Sequence, residues 1–345
     1  MDDKLKRLTE KKKKLDSLKP LKKDVFYQLE EWLKVELTYS SNAIEGNTLT
    51  RRETAEVIEK GINAVVSGKP FKDLLEARNH ADALDFVKEL SDIRKSHQFI
   101  AEEDIKDIHK IILLGIVDEW AGVYRQVEIF IRGSNTEFPL PKEVSALMKK
   151  FIRWLQDQQE THPVRVAAEA HFKFESIHPF RDGNGRTGRL LMNLILILNG
   201  YPMAIVRNEE RANYLATFDS ARNHDMQPFY DLIEESVGRS LDAYINAAEG
   251  KAVLPGLMGE TTQSEGGNLL KIGQLAKATN ETIPTIRYWT KEGLLKVAGL
   301  TKGGYALYDN SQIDKAKEIK HLQDQQRLTI AEIKAKLGVR RISKL

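Results

Sequence analysis

Apolar residues along this chain recur mainly three and four positions apart, the spacing that gathers them on one face of an α-helix. Val25, Leu29, Trp32, Leu33, Val35 and Leu37 predict a helix over 25–45. Further helices are predicted near 52–67, 71–92, 102–115, 142–159 and 164–175, and again near 185–199, 208–223, 226–235 and 236–248. One window differs. Val127 to Ile131 is rich in β-branched and aromatic residues and is the best strand candidate. The run from Leu190 to Leu198, broken only by Asn193, reads as a buried helix and is too short to span a bilayer. Residues 1–24 carry Lys11 to Lys14 among several leucines and read as a charged helix or a frayed arm.

The pattern breaks at 249–267, where five glycines and a proline give a linker composition. A separate small domain is expected over 268–345. It opens with two short helices, Ile272–Lys277 and Pro284–Lys291. Asn280 to Thr282 supply the turn between them and a cap for the second, which carries Pro in its first turn. Gly303 to Tyr308 suits a short hairpin wing, and helices near 311–325 and 329–337 follow. The expected fold class is mainly α: a helical domain over 25–248 with a short β-hairpin, and a small winged helix-turn-helix domain after it.

Composition narrows the function. Of 345 residues, 41% are hydrophobic and 30% charged, an ordinary soluble globular balance. The absence of cysteine excludes a disulfide framework, a thiolate metal site and a cysteine nucleophile, and it fits a reducing cytoplasm. The first residues lack the apolar stretch of a signal peptide. A cytoplasmic protein with no membrane partner is therefore expected. The net charge of +3 hides an asymmetry. Residues 266–345 hold 15 basic and 7 acidic residues, a net of +8, while the remainder carries −5. A basic end module on an acidic body suits a polyanionic partner.

Residues 178–189, His-Pro-Phe-Arg-Asp-Gly-Asn-Gly-Arg-Thr-Gly-Arg, concentrate the chemistry. They precede the most apolar predicted helix, so they form a loop feeding a helix start. Unpaired amides and the helix dipole there favour an anion. Gly183 and Gly185 let the backbone approach a phosphate, with Asn184 between them. Arg186 and Arg189 share a helical face and suit polyphosphate oxygens. Asp182 is a hard oxygen ligand for a magnesium carried on phosphates. His178 can take a proton near neutral pH. Together these residues describe phosphoryl or nucleotidyl transfer, with His178 as base, Asp182 holding the metal, and Asn184 donating to a phosphate. Residues 41–46, Ser-Asn-Ala-Ile-Glu-Gly, form a second constellation. Ser41 and Glu45 lie one turn apart, and Gly46 ends the helix. A carboxylate in the last turn is opposed by the helix dipole and gains from a cation, naturally an arginine.

The twelve-residue loop resembles the signature of the Fic family, His-x-Phe-x-(Asp/Glu)-Gly-Asn-Gly-Arg-x-x-Arg, with every fixed position filled. The resemblance extends over about 25–248. Gly122-Val-Tyr-Arg125, Val127-Glu128-Ile129-Phe130-Ile131 and Pro139-Leu-Pro141 resemble the family's β-hairpin flap. Gly200-Tyr-Pro202, Arg211, Tyr214 and Pro228-Phe229 resemble the helices that complete the fold. It implies transfer of AMP from ATP, with Mg2+, to a Ser, Thr or Tyr hydroxyl of a protein, this chain included, and a flap that docks the target by strand addition. Residues 41–46 look like the family's inhibitory motif, (Ser/Thr)-x-x-x-Glu-(Gly/Asn), in its N-terminal subclass. That likeness implies an inhibitory helix over about 33–46, with Glu45 pairing Arg189, and leaves AMP removal open as a second activity. Doc toxins, which transfer the γ-phosphate, carry Lys where this chain has Gly185. The likeness therefore favours adenylylation over a kinase.

The basic end module resembles the winged helix-turn-helix of the MerR family, in Ile-Gly-x-Leu-Ala near 272, Thr-Ile-Arg-Tyr-Trp at 285–289 and Gly-Tyr-x-Leu-Tyr at 304–308. The likeness implies DNA binding through Arg287, Tyr288 and Lys291 on the second helix, with Lys302 in the wing. The chain departs from MerR regulators at Ala306, where relatives carry Arg, and in lacking their long dimerisation helix. A homodimer is expected. Two other readings stand beside the adenylyltransferase: a DNA-binding transcriptional regulator whose Fic domain acts mainly on itself, and a toxin of a toxin–antitoxin pair.

Overall fold

In the computed structural model most of the sequence's helical windows become helices. The residues it describes are 2–21, 23–64, 66–130, 136–251, 269–279, 281–300, 306–324, 326 and 328–337. The chain divides into two compact units, Met1–Glu260 and Thr261–Leu345. Among the described residues the first unit contains α1 Asp3–Ser17, α2 Lys23–Ile44, α3 Arg51–Lys60, α4 Phe71–Arg94, α5 Glu102–Leu113, α6 Pro141–Gln156, α7 Pro163–Ile177, α8 Asn184–Leu198, α9 Arg211–Arg222 and α10 Gln227–Ala248. None is long and apolar enough to cross a membrane.

The apolar run of α8 lies at the centre, packed against α4, α5 and α7, with α2 also against it. Nearly every residue of α8 is buried, and from Leu190 onward the helix is apolar all round. The one polar residue in that run is satisfied: Asn193 Nδ2 donates to Ala204 O at 3.2 Å, and its Oδ1 accepts from Ala204 N–H at 2.8 Å. Thr50 and Glu53 close the start of α3 as a reciprocal capping box.

Two expectations change. The lysine-rich first residues are a docked helix. Leu5, Leu8 and Leu15 of α1 are buried, and Lys4, Lys11 and Lys14 pair with Asp231, Asp242 and Glu249 along and beyond α10. The lysines read as a free charged face thus meet the acidic side of α10. The two helices expected over 226–248 are one, α10, because Gly238 sits mid-helix beneath Leu8 and does not interrupt it.

The second unit contains β1 Leu270–Lys271, α11 Ile272–Thr279, α12 Ile283–Lys291, β2 Gly299–Leu300, β3 Ala306–Tyr308, α13 Ser311–Asp324 and α14 Ile330–Lys336. β3 pairs antiparallel with both β1 and β2 in the order β1-β3-β2. Of the wing expected over Gly303 to Tyr308, residues 306–308 form β3 and residues 303–305 lie outside the described residues; the pattern did not show β1, which at two residues carries no periodicity. Leu275, Ile286, Trp289, Leu294, Tyr308, Ile319 and Ile333 form this unit's own core. Thr282 caps α12 by accepting from Thr285 N–H at 3.2 Å. Arg287 and Tyr288 stand exposed on α12. Lys302 and the side chain of Lys291 lie outside the described residues.

Candidate active site

The end of α7, the loop after it and the start of α8 form one floor of a cavity of about 1390 Å³ in the first unit. His178 ends α7 in the left-handed region, at φ 48°. A non-glycine residue there stores strain of about 1–3 kcal/mol and persists only when its surroundings fix it. Arg125 does much of this. It is buried, and its guanidinium donates to the carbonyls of His178 at 2.8 Å, Pro139 at 2.6 Å and Val127 at 3.2 Å. Its own N–H donates to Pro179 O at 2.9 Å. One side chain therefore ties the candidate flap to the candidate base. Phe138 lies against the His178 ring, centroids 4.6 Å apart.

The next residues are held from beneath. Phe180 is fully buried and stacks on His109 of α5, centroids 3.6 Å apart. His109 Nδ1 accepts from Gly122 N–H at 2.9 Å and Nε2 donates to Asp182 O at 2.8 Å, which defines a neutral tautomer. Burial pushes its pKa down to about 4. Gly183 takes φ 77°, the conformation glycine adopts freely, and turns the chain into α8. The amides at this helix start are the ones the sequence placed against an anion.

Asn184 lines the cavity and its side chain also braces the loop. Oδ1 accepts from Phe180 N–H and Nδ2 donates to Phe180 O, both at 2.9 Å, and the residue is buried. Arg186 lies beside two carboxylates at the cavity. It is 2% exposed, Nη1 lies 3.1 Å from Glu76 Oε1 on α4 without hydrogen-bond geometry, and Nη2 lies 3.6 Å from Asp182. Asp182 is the more accessible partner, its side chain 44% exposed at the cavity. Its Oδ1 accepts from Gly183 N–H at 2.6 Å.

Arg189 meets the second constellation. Nε donates to Ser41 Oγ at 3.0 Å, and Nη2 donates to Ser41 O and to Glu45 Oε1, both at 2.8 Å. Nη1 donates to Tyr214 OH of α9 at 3.4 Å. α2 ends at Ile44, so Glu45 sits in the turn just beyond it, and Gly46 follows at φ 97°. Arg211 Nε donates to Ile44 O at 2.7 Å and caps that end. A Cβ at Gly185 would collide with Glu45 Oε1 and lie 3.1 Å from Arg189 Nη1. The missing side chain at 185 therefore makes room for the Glu45 carboxylate as well as for an anion.

The expected strand at 127–131 is not paired. Val127 to Phe130 run along the cavity without a ladder among the described residues, and Ile131 lies outside them. Phe130 is 83% exposed. No sheet face covers these apolar side chains, so the β-branched pattern has no partner strand within the described chain. Among the described residues no cluster of three or more His, Cys, Asp or Glu could hold a metal ion.

The fold that carries this site is shared. Fic-1 from C. elegans superposes with a TM-score of 0.64 at 30% identity over 72% of each chain. The chain belongs to the Fic/DOC family. Its residues 99–196 match the Fic/DOC family model, and residues 270–338 match that of the MerR HTH family regulatory proteins. A Fic domain containing signaling protein from Bacteroides thetaiotaomicron superposes at TM-score 0.65 and 29% identity, over 73% of this chain and 98% of that one. "Protein adenylyltransferase Fic" of Nematostella vectensis is 36% identical over 209 residues, 60% of this chain and 48% of the relative. The chain spans about half the length of the curated relatives it matches.

Several residues of this Fic site carried no role in the sequence reading. His109 had no signal at all. Arg125, Arg211 and Tyr214 were visible as parts of the resemblance, but their contacts join segments tens of residues apart. Glu175 stands one helical turn before His178, a spacing that was readable.

Proposed function

We propose that the first unit transfers AMP from ATP to a Ser, Thr or Tyr hydroxyl of a protein, this chain included, and that Glu45 holds it back. The observation that carries this is a single cavity bordered by His178, by the amides opening α8 and by Arg189, with Glu45 bound to that arginine. A helix start with an amide nest and a buried arginine suits a triphosphate. The named activity of the relatives supports the same direction. His178 would take the hydroxyl proton as the oxygen attacks the α-phosphorus. The loop amides would stabilise the charge that develops there. Asp182, exposed at the cavity with Oδ2 free of protein partners among the described residues, suits a magnesium ion that is otherwise held by phosphates and water. That ion would neutralise phosphate charge; the residues named do the binding and the proton transfer. Glu45, 39% exposed beside Arg189, puts a negative charge where phosphate oxygens would sit and occupies their arginine. Val127 to Phe130 would pair with the target backbone, supplying the strand they lack.

For the second unit we propose DNA binding through α12. Its supports are the exposed Arg287 and Tyr288, the capped helix-turn-helix and the MerR match. Affinity that falls steeply with added salt, and falls further on Arg287→Ala, is the expected result. The test of the enzymatic reading is label transfer from α-labelled ATP. Glu45→Gly is expected to label protein strongly, and Glu45→Gly with His178→Ala to label none. Equal labelling in both would remove His178 from the mechanism.

A further inference from the structure

An imidazole acting as a base must present one ring nitrogen unprotonated, and by itself it does not choose between its two tautomers. On the last turn of α7, Glu175 Oε2 lies 3.3 Å from His178 Nδ1. The carbonyl of the same residue lies 3.3 Å from the same nitrogen. Both are acceptors, so Nδ1 carries the hydrogen and Nε2 keeps its lone pair.

The carboxylate is built in. Its side chain is 12% exposed, and Oε1 has no hydrogen-bond partner among the described residues. Leaving a buried acceptor unmade costs about 1–3 kcal/mol and calls for an explanation. The neighbouring helix gives way to it. A Cβ on Gly188 of α8 would come within 2.9 Å of Glu175 Oε1 and 2.7 Å of His171 Nδ1. The charged and titratable groups facing Glu175 are His178 and His171 from α7, Arg189 from α8 and Tyr214 from α9. His171 is no cation. Burial pushes its pKa down to about 4, and its Nε2 bonds to Tyr214 OH at 2.7 Å. Arg189 is committed to Ser41 and Glu45. Burial alone would raise the Glu175 carboxyl, but the bond to His178 and the nearby positive groups outweigh it, and the shift is downward.

We propose that Glu175 is the positioning residue of the base: its carboxylate fixes His178 as the Nδ1–H tautomer and offsets the imidazolium charge that forms during transfer. This rests on the AMP-transfer reading above. In that step the hydroxyl oxygen bonds to the α-phosphorus and its proton passes to Nε2. The bond to pyrophosphate breaks with its electron pair on the departing oxygen. Glu175 remains ionised and acts through His178, so its effect falls on kcat.

The test uses the full chain carrying Glu45→Gly, alone and with Glu175→Gln or Glu175→Ala. Glu175→Gln keeps the volume and an acceptor but loses the charge. Its kcat is expected to drop about tenfold or more, with KM for ATP within about twofold of the parent. Glu175→Ala is expected to drop further. In spectra of 15N-histidine-labelled protein, with His178 assigned by its loss in His178→Ala, the parent should show a protonated Nδ1 and an unprotonated Nε2. Glu175→Ala should shift both nitrogens toward averaged values. Unchanged nitrogen shifts in Glu175→Ala, or a loss expressed in KM with kcat intact, would overturn the proposal. If the Glu45→Gly parent transfers no AMP, the functional reading fails, and the nitrogen shifts still decide whether Glu175 sets the tautomer.

Discussion

Asn184→Ala separates a brace from a ligand. The Asn184 amide makes two hydrogen bonds, each 2.9 Å, to the N–H and carbonyl of Phe180, and both residues are buried. Deleting it leaves a buried donor and a buried acceptor unmade. At about 1–3 kcal/mol for each such group, with some relief from entering water, a loss of about 2–4 kcal/mol is expected. For a unit of this size 1 kcal/mol moves the melting midpoint by about 2–4 °C, so Tm should fall by about 4–16 °C. Melting followed by tryptophan fluorescence would measure it, alongside ATP titrations of the rate of AMP transfer. The loop carrying His178 should loosen as well, so kcat falls with Tm. A variant that melts within about 1 °C of the parent while its KM for ATP rises at least tenfold would refute the brace and leave the phosphate-ligand reading.

Two further results are expected. The unfolded chain takes up a proton on His109 near the ordinary value of 6.5, whereas the folded chain does so only near 4. The unfolded state therefore binds more protons between those values. Stability should fall as pH drops from about 6.5 to about 4, by up to about 3 kcal/mol from this group. Denaturant titrations across that range should show a shallower slope in His109→Gln; an unchanged slope would contradict the assignment. Gly188→Ala should destabilise by about 1–3 kcal/mol and slow transfer, because its Cβ would lie 2.7 Å from His171 and 2.9 Å from Glu175. An unperturbed Tm and rate would mean that the buried His171 and Glu175 side chains need no such space.

Helix positions and the floor of the site were legible because each rests on local order: apolar spacing and a glycine-bounded loop ahead of an apolar helix. A carboxylate at a helix end asked for a cation, and only the family resemblance pointed to Arg189 as that cation. What escaped depends on contacts between distant segments. Arg125 was visible in sequence only as part of the segment resembling the flap, yet it is buried, and four backbone carbonyls from the end of α7, the loop and the flap converge on it. Asn184 was assigned to phosphate on residue type, and only the backbone path of Phe180 reveals that it also braces the loop. The lysines of α1 looked solvated because the acidic residues that meet them lie more than 200 positions away. The flap's strand pattern is real, but a strand needs a partner, and its composition cannot say that none is supplied by the described chain.

The central claim is that Glu45 restrains an AMP-transferring site. Intact-mass spectrometry of the wild-type chain and of Glu45→Gly, each incubated with ATP and magnesium, tests it most directly. The account predicts a mass increase of one or more AMP units in Glu45→Gly and little or none in the wild type. An increase matching phosphate, or no increase in either protein, would contradict it.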